Sequence, residues 1–381
     1  MSDSDLRRGS TPLGDMAEVM RLTRAGRLDE ATALIGRGLS QTGVSSGVPL
    51  RPEALRESLG GLLRDLPDAL PSLSTLPGLS GLGRGMTPSV EPIAPASDLQ
   101  ARRFQGPAGA RDYRLFVPSA PRMPAPLVVM LHGCTQTPDD FAAGTGMNAL
   151  AEAQGVFVAY PAQSARANGQ RCWNWFEPAD QERGAGEPEI IAGITRALIG
   201  EFPIDPARVY IAGFSAGGAA AANVARAYPD LYAAVGIHSG LAAGCARDLP
   251  SALAAMRAGA PGEAMPTGLG AAAAVVVPTI VIHGEADAVV SPRNLDAVLA
   301  QAGAERLRAS RETLSGGRAG RRTLYTDASG RVLAESVRIE GSGHAWSGGH
   351  AAGSYVDPDG PDASAMMLTF FARHRLGAGR A

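Results

Sequence analysis

One serine of the chain has the sequence context of a catalytic nucleophile. Ser215 stands in the pattern Gly-x-Ser-x-Gly, after the apolar run 209–212 and before a stretch of small residues. A nucleophile elbow requires this context of strand, tight turn and helix, because the turn exposes the hydroxyl at the end of a strand. The pattern also occurs around Ser45, but in a region rich in Pro, Gly and Ser without a flanking strand or helix. We therefore predict that Ser215 is the nucleophile.

A nucleophilic serine needs a base and a carboxylate that orients it. In one known type of triad the three residues occur along the chain in the order Ser, Asp, His, so the carboxylate follows the serine. Asp287 lies in the turn after the apolar run 279–283 and is our choice, with Glu285 of the same turn as the alternative.

The base is predicted to be His344, which lies in a glycine-rich turn after the run 336–340. It completes the order Ser, Asp, His. His238 follows another predicted strand and is the alternative. The remaining histidines are expected at strand-end turns, on the surface or at a helix end; they are His132, His283, His350 and His374.

The turn after residues 127–131 is predicted to stabilise the oxyanion of the reaction. One backbone N–H from this turn and one from the residue after the nucleophile form such a site in serine hydrolases. Here these are the N–H groups of Cys134 and Ala216. Trp173, Trp175 and Trp346 are close in sequence to the predicted site loops, which suggests an apolar, aromatic wall for an acyl group; burial in the core is the alternative.

Strands and helices alternate along the second part of the chain and can position these turns. Apolar runs predict strands, and patterns of three- and four-residue spacing predict helices between them. The alternation predicts an α/β fold with a mostly parallel, doubly wound sheet, which places its chemistry at the carboxyl ends of the strands. The predicted strands are 113–117, 127–131, 156–160, 209–212, 233–237, 279–283 and 336–340, and the helices 139–154, 187–201, 216–228, 292–302 and 363–374.

The first part of the chain has a different composition, so we predict three regions. Residues 1–40 contain a helical hairpin at 15–39, residues 41–97 form a linker rich in Pro, Gly, Ser and Leu, and residues 98–381 form the catalytic domain. A single hairpin cannot bury both its faces, so residues 15–39 are expected to dock on a partner, on a second copy or on the main domain.

Charge and composition exclude several functions. The 35 basic and 37 acidic residues nearly balance, so neither a nucleic acid nor an anionic membrane surface is an expected partner. All basic residues are Arg, which excludes a Schiff-base lysine, a phosphate-binding Walker lysine and a Ser-Lys dyad. No metal-binding cluster or phosphate loop is visible, so we expect no metal and no cofactor. No signal peptide or membrane-spanning run is visible either, and we expect an intracellular, cytoplasmic protein.

Six motifs of the chain occur together in roughly residues 98–376. They are Leu131-His-Gly-Cys-Thr-Gln136, Cys172-Trp-Asn-Trp-Phe176, Gly213-Phe-Ser-Ala-Gly217, His238-Ser-Gly240, Gly343-His-Ala-Trp-Ser-Gly-Gly349 and Gly353-Ser-Tyr-Val-Asp-Pro358. As a set they resemble the polyhydroxybutyrate depolymerase family of esterases, which includes feruloyl and acetylxylan esterases. The resemblance implies an α/β-hydrolase fold with Ser215, Asp287 and His344 as the triad.

The resemblance also implies an activity and a candidate disulfide. Cys134 and Cys172 match cysteines that flank the oxyanion site in the family, where a disulfide can fix the loop; two free thiols are the alternative. The implied function is a serine ester hydrolase for short 3-hydroxyalkanoate esters, their oligomers or amorphous polyhydroxybutyrate. The alternatives are a feruloyl or acetylxylan esterase, or a granule-binding protein with a vestigial hydrolase domain that binds through residues 15–39. Secreted members make an extracellular location the alternative to the cytoplasm.

Overall fold

A computed structural model describes residues 99–260, 276–315 and 317–377 of the chain. The predicted hairpin at 15–39, the linker at 41–97 and the second Gly-x-Ser-x-Gly pattern around Ser45 all lie outside the described residues. None of the helices within the described ranges is long and apolar enough to span a membrane.

A mixed sheet of ten strands organises the described part of the chain, in the order β1-β2-β4-β3-β5-β6-β7-β10-β9-β8. The strands are β1 (Leu99–Gly106), β2 (Gly109–Phe116), β3 (Ala125–Leu131), β4 (Phe157–Pro161), β5 (Ile204–Phe214), β6 (Ala234–His238), β7 (Thr279–Gly284), β8 (Arg308–Leu314), β9 (Gly320–Thr326) and β10 (Val332–Ile339). Two short parallel strands, β11 (Trp346–Ser347) and β12 (Val356–Asp357), pair separately.

The centre of the large sheet is parallel and its two flanks are antiparallel. Strands β4, β3, β5, β6, β7 and β10 pair in parallel. Hairpins add β1 and β2 at one side and β9 and β8 at the other. The predicted mostly parallel sheet is therefore confirmed, and its central strands end at one edge.

Helices cover both faces of the sheet, as the doubly wound prediction requires. Alternation along β3 shows the two layers: Leu127 and Val129 face one core cluster, whereas Val128 and Met130 face the other. The helices are α1 (Pro138–Thr145), α2 (Met147–Gln154), α3 (Gly186–Glu201), α4 (Ala216–Ala227), α5 (Leu249–Ala258), α6 (Arg293–Gln301) and α7 (Ala363–Phe371). Helices α3, α4, α5 and α6 bury side chains in the first cluster, and α1, α2 and α7 in the second.

Two details differ from the sequence predictions. The single helix predicted over 139–154 is two helices, because Gly146 adopts a left-handed conformation with φ of 61° and ends α1. Three strands of the large sheet and one helix were not predicted, namely β1, β8, β9 and α5, and neither were the short strands β11 and β12. The three strands carry many polar side chains, and all of them lie in the flanks, where one face of a sheet can meet solvent and the apolar signal is weak.

Candidate active site

Ser215 occupies a strained turn between β5 and α4. Its φ of 55° and ψ of −121° lie outside the regions that L-residues ordinarily adopt. The Ser215 N–H donates to the carbonyl oxygen of His238 at 2.9 Å, which fixes the turn against the end of β6. Such strain is typical of functional positions, where the surrounding structure holds it in place.

Gly213 and Gly217 are required by close packing around this turn. A Cβ atom at Gly213 would lie 2.2 Å from the carbonyl oxygen of Gly217. One at Gly217 would lie 2.1 Å from the carbonyl oxygen of Leu131, at the end of β3. Both neighbours are backbone atoms, so a larger residue at either position would displace the serine or the loop that follows β3.

A chain of hydrogen bonds joins the three residues that the sequence proposes as a triad. His344 Nε2 lies 2.9 Å from Ser215 Oγ, and His344 Nδ1 lies 2.7 Å from Asp287 Oδ2. Because an ionised carboxylate only accepts, Nδ1 carries a proton and donates it to Asp287, leaving Nε2 free to accept from the serine hydroxyl. The arrangement matches the roles of nucleophile, base and orienting carboxylate.

Asp287 accepts hydrogen bonds on both carboxylate oxygens. Oδ1 accepts from the N–H groups of Val289 and Val290 at 2.9 and 2.8 Å, and His283 Nε2 lies 3.2 Å from Oδ2. Burial favours the neutral acid, but the hydrogen bonds from His283, His344 and the Val290 N–H, with the electrostatic attraction of the His344 ring, outweigh it. They hold the pKa of Asp287 well below its ordinary value.

The two alternative candidates lie elsewhere. Glu285 forms an ion pair with Arg321 at 3.3 Å near the surface. His238 is buried beneath the serine turn, where its Nε2 accepts from the Ser347 N–H at 3.0 Å and its ring stacks on Trp346. Burial, together with the nearby His283 and His344, lowers the pKa of His238 to about 3, so it remains neutral.

The Cys134 and Ala216 N–H groups, predicted as oxyanion donors, donate to no acceptor within the described ranges. The loop that carries Cys134 is nevertheless tightly held. Gly133 N–H donates to Gln136 Oε1 at 2.9 Å, and Thr135 N–H donates to the Gln170 carbonyl at 2.7 Å. The loop can therefore present a free N–H without rearranging.

A disulfide joins Cys134 to Cys172, as the sequence resemblance implied. Two further contacts connect the same segments. Trp173 Nε1 donates to the His132 carbonyl at 3.0 Å, and His132 Nε2 accepts from the Gln163 N–H at 3.0 Å. Burial lowers the pKa of His132 to about 4, so it holds this loop as a neutral ring.

The tryptophans do not form an exposed wall around the site, which corrects the expectation from the sequence. Trp173 is 0% exposed, Trp346 is 1% exposed and Trp175 is 6% exposed. Trp346 donates its indole N–H to Ser364 Oγ at 3.2 Å and packs edge-on against Phe141. The indole rings pack against the loops from within the core, where an aromatic side chain of this kind buries about 150 to 250 Å² of surface. His374, expected at a helix end, does follow α7 but is buried.

The segment 353–358 contains one of the six motifs, and it contacts both the loop that carries Cys134 and the loop that carries His344. Gln136 Nε2 lies 3.2 Å from the carbonyl oxygen and the hydroxyl of Ser354. The carbonyl oxygen of Tyr355 accepts from the backbone N–H of Trp346 at 2.7 Å. The hydroxyl oxygen of Tyr355 lies 3.1 Å from Thr135 Oγ1. Asp357 accepts from Ser342 Oγ at 2.6 Å.

No group of three or more His, Cys, Asp or Glu side chains within residues 99–260, 276–315 and 317–377 is arranged to hold a metal ion.

Comparisons with known proteins identify the family of the chain and agree with its fold. A family model described as Esterase PHB depolymerase matches residues 111–324. Poly(3-hydroxyalkanoate) depolymerase C of Paucimonas lemoignei is 33% identical over 252 residues, which cover 64% of this chain and 58% of that protein. Poly(3-hydroxybutyrate) depolymerase of Ralstonia pickettii is 27% identical over 280 residues, covering 69% of this chain and 57% of that protein. The chain thus spans less than two thirds of the length of these relatives.

The solved structure of an acetyl xylan esterase from Aspergillus awamori has a TM-score of 0.55 at 20% sequence identity. It covers 72% of this chain and 99% of that one, and at this identity it shows the fold alone. Together with the observed sheet it confirms the α/β-hydrolase fold. Because the family model spans more than half of the 381 residues, the chain belongs to the esterase PHB depolymerase family.

Proposed function

We propose that the chain is a serine carboxylic ester hydrolase that acts on short 3-hydroxyalkanoate esters, their oligomers or amorphous polyester. The observation that carries the proposal is the unbroken hydrogen-bond chain from Ser215 through His344 to Asp287. Its geometry suits a hydroxyl that must lose a proton as it attacks a carbonyl carbon.

The proposed reaction proceeds through an acyl-enzyme. Ser215 Oγ attacks the ester carbonyl while His344 Nε2 takes its proton, and the resulting imidazolium is stabilised by ionised Asp287. His344 then returns the proton to the departing alkoxide. In the second half, His344 takes a proton from water as the water oxygen attacks the acyl carbonyl, and it gives that proton to Ser215 Oγ as the acyl–oxygen bond breaks and the acid leaves.

The N–H groups of Cys134 and Ala216 would hold the negative oxygen of both tetrahedral intermediates. They belong to two segments that approach each other closely, because the loop after β3 lies against Gly217. Removal of one such donor typically raises the barrier by about 2.7 to 4 kcal/mol. The disulfide and the Gln136 hydrogen bond support this role, since a fixed donor needs no reorganisation during the reaction.

The proposed substrate class rests on how many residues of the chain match the polyester depolymerases and how many match a feruloyl esterase. The relatives named as polyhydroxyalkanoate and polyhydroxybutyrate depolymerases match over 252 and 280 residues. A feruloyl esterase B of Thermothelomyces thermophilus matches over 139 residues at 30% identity, or 36% of this chain. The longer matches favour a hydroxyalkanoate ester over a feruloyl ester.

Replacement of the nucleophile tests the reaction. Ser215→Ala should reduce hydrolysis of p-nitrophenyl butyrate by at least about 10⁴-fold, because members of such a triad act as a unit. The matched control is Ser45→Ala, which alters the other copy of the pattern and should retain the wild-type rate. Circular dichroism and thermal unfolding of both variants check the fold, and substantial turnover by folded Ser215→Ala would refute the assignment.

A substrate panel then tests the ester class. We expect kcat/KM to be higher for 3-hydroxybutyrate oligomers than for methyl ferulate or acetylated xylan, measured as acid release at constant pH. The reverse order would assign the chain to the feruloyl or acetylxylan type.

A further inference from the structure

Two strained residues place their hydroxyl groups together beside the proposed oxyanion site. Thr135 has a φ of 66° and Tyr355 has a φ of 52°, although neither is glycine. Their hydroxyl oxygens lie 3.1 Å apart, across 220 positions of sequence. Left-handed backbone is costly for residues with these side chains, so an observed pair in contact suggests a functional arrangement.

The hydrogen-bond donors of this pair can be assigned. Thr135 Oγ1 lies 2.6 Å from the Cys134 carbonyl oxygen, which accepts only, so the threonine donates its single proton there. The contact between the two hydroxyls then requires Tyr355 to donate to Thr135 Oγ1. Both protons are used, and the phenol oxygen of Tyr355 retains acceptor capacity with no donor among the described residues.

Tyr355 is connected to the proposed reaction centre through Thr135 and Phe214. Thr135 directly follows Cys134, whose N–H is a proposed oxyanion donor. The Tyr355 ring is 6.4 Å from the ring of Phe214, and that ring is 4.9 Å from the imidazole of His344. Thr135 is exposed and Tyr355 is half-buried, so a bound substrate can reach the pair.

We propose that the phenol oxygen of Tyr355 accepts a hydrogen bond from a hydroxyl group of the ester substrate, with Thr135 fixing its orientation. The inference rests on the proposed ester hydrolysis and narrows it to esters that carry a hydroxyl close to the scissile carbonyl. Tyr355 is then a specificity-determining residue, and Thr135 acts through it as a positioning residue.

The test compares two esters that differ only in a donor proton. Methyl 3-hydroxybutyrate and methyl 3-methoxybutyrate, of the same configuration, have an oxygen at the same carbon, but only the first can donate. The wild type should favour the hydroxy ester, and Tyr355→Phe should lower the ratio of the two kcat/KM values by about five- to tenfold, the usual effect of one hydrogen bond. An unchanged ratio in an active Tyr355→Phe enzyme would overturn the proposal.

Variants of Thr135 test the assignment of the protons. Thr135→Val removes the acceptor for the Tyr355 proton, so the phenol becomes a free donor and the ratio should move toward the methoxy ester. The matched variant Thr135→Ser keeps the hydroxyl and should keep the wild-type ratio. An unchanged ratio in folded Thr135→Val, or the same shift in both variants, would contradict the assignment.

Binding separates this proposal from the proposed reaction. In the Ser215→Ala background, calorimetry gives dissociation constants for the intact esters without turnover. The hydroxy ester should bind more tightly than the methoxy ester, and the added Tyr355→Phe should remove the difference. If the wild type hydrolyses neither ester, these constants still decide the role of Tyr355; equal constants in both backgrounds would refute it.

Discussion

Asp287 combines burial with a full set of hydrogen-bond donors. Its carboxylate accepts from two backbone N–H groups and lies within hydrogen-bond distance of two imidazoles. One of these imidazoles belongs to His283. Its position at the end of a predicted strand did not identify it as part of the site. Its Nε2 lies 2.9 Å from the Val290 carbonyl oxygen, which only accepts, so Nε2 carries a proton that points toward this carbonyl and Asp287.

The low pKa of Asp287 predicts a specific pH dependence of stability. In the unfolded chain an aspartate has a pKa of about 3.9. Because the folded-state pKa is lower, ionised Asp287 stabilises the fold above about pH 4, and this contribution is lost as the pH falls toward the folded-state pKa. Urea unfolding at pH 5, 4, 3 and 2 should therefore show a steeper loss of stability in the wild type than in Asp287→Asn. Parallel curves would contradict the assigned environment.

The residues that the sequence selected by their positions at strand ends, Ser215, Asp287 and His344, are those that the structure joins by hydrogen bonds. These three residues could be predicted because they occur along the chain in the order of a known type of triad. The contact of Thr135 with Tyr355 could not be predicted, because it depends on two loops that only the folded backbone brings together.

Among the elements, the loop between β4 and α3 depends on a buried carboxylate. Glu187, in the first turn of α3, accepts from the Asn174 N–H at 2.8 Å and is bonded to the Gln163 side chain. The loop it holds carries Cys172 and Trp173, which contact the proposed oxyanion loop. Burial and the neighbouring charge of Asp180 raise the pKa of Glu187 to about 7, against the opposing effect of its hydrogen bonds and of Arg111.

A raised carboxyl pKa predicts a loss of stability toward neutral pH. The proton on Glu187 stabilises the fold fully below about pH 4.5, and the contribution is lost as the pH rises through 7. The shift corresponds to about 3 kcal/mol. Glu187→Gln cannot titrate, so its free energy of unfolding should fall by less than that of the wild type between pH 4.5 and 8. The conservative Glu187→Asp, which keeps a carboxyl group, should retain a pH-dependent fall.

The elements that could be predicted are those with apolar side chains on both faces. Five of the six parallel strands, all but β10, contain a continuous apolar run because helices cover both faces of the sheet, and such runs are easily recognised. The flanking strands β1, β8 and β9 lack this signal, and only the pairing in the sheet identifies them. The break between α1 and α2 depends on the conformation of Gly146, which a helical spacing does not reveal.

At the scale of the whole molecule, we propose that residues 98–381 form the catalytic unit and that residues 1–97 target it. Removal of residues 1–97 deletes nothing of the ten-stranded sheet, because β1 begins at Leu99. The truncated chain should hydrolyse p-nitrophenyl butyrate at the wild-type rate and bind less polymer in sedimentation with amorphous polyhydroxybutyrate granules. Loss of activity on the soluble ester would instead place the extension within the catalytic fold, and unchanged granule binding would exclude a targeting role.

The ten-stranded sheet ends at β8, and the properties of this edge strand affect whether molecules associate with one another. Six of its seven residues are exposed, and its outer edge pairs with no other strand among the described residues. An open edge is a template for pairing between molecules, and charged side chains along it oppose such pairing. Arg308, Arg311 and Glu312 provide those charges.

Replacement of Arg308, Arg311 and Glu312 by threonine should leave ester hydrolysis intact and promote concentration-dependent association. Analytical ultracentrifugation of the variant and the wild type measures this association. The same sedimentation profile for both proteins would show that these charges do not prevent pairing between the edges of two molecules. Association of the variant alone would show that these charges prevent the exposed edge of one molecule from pairing with that of another.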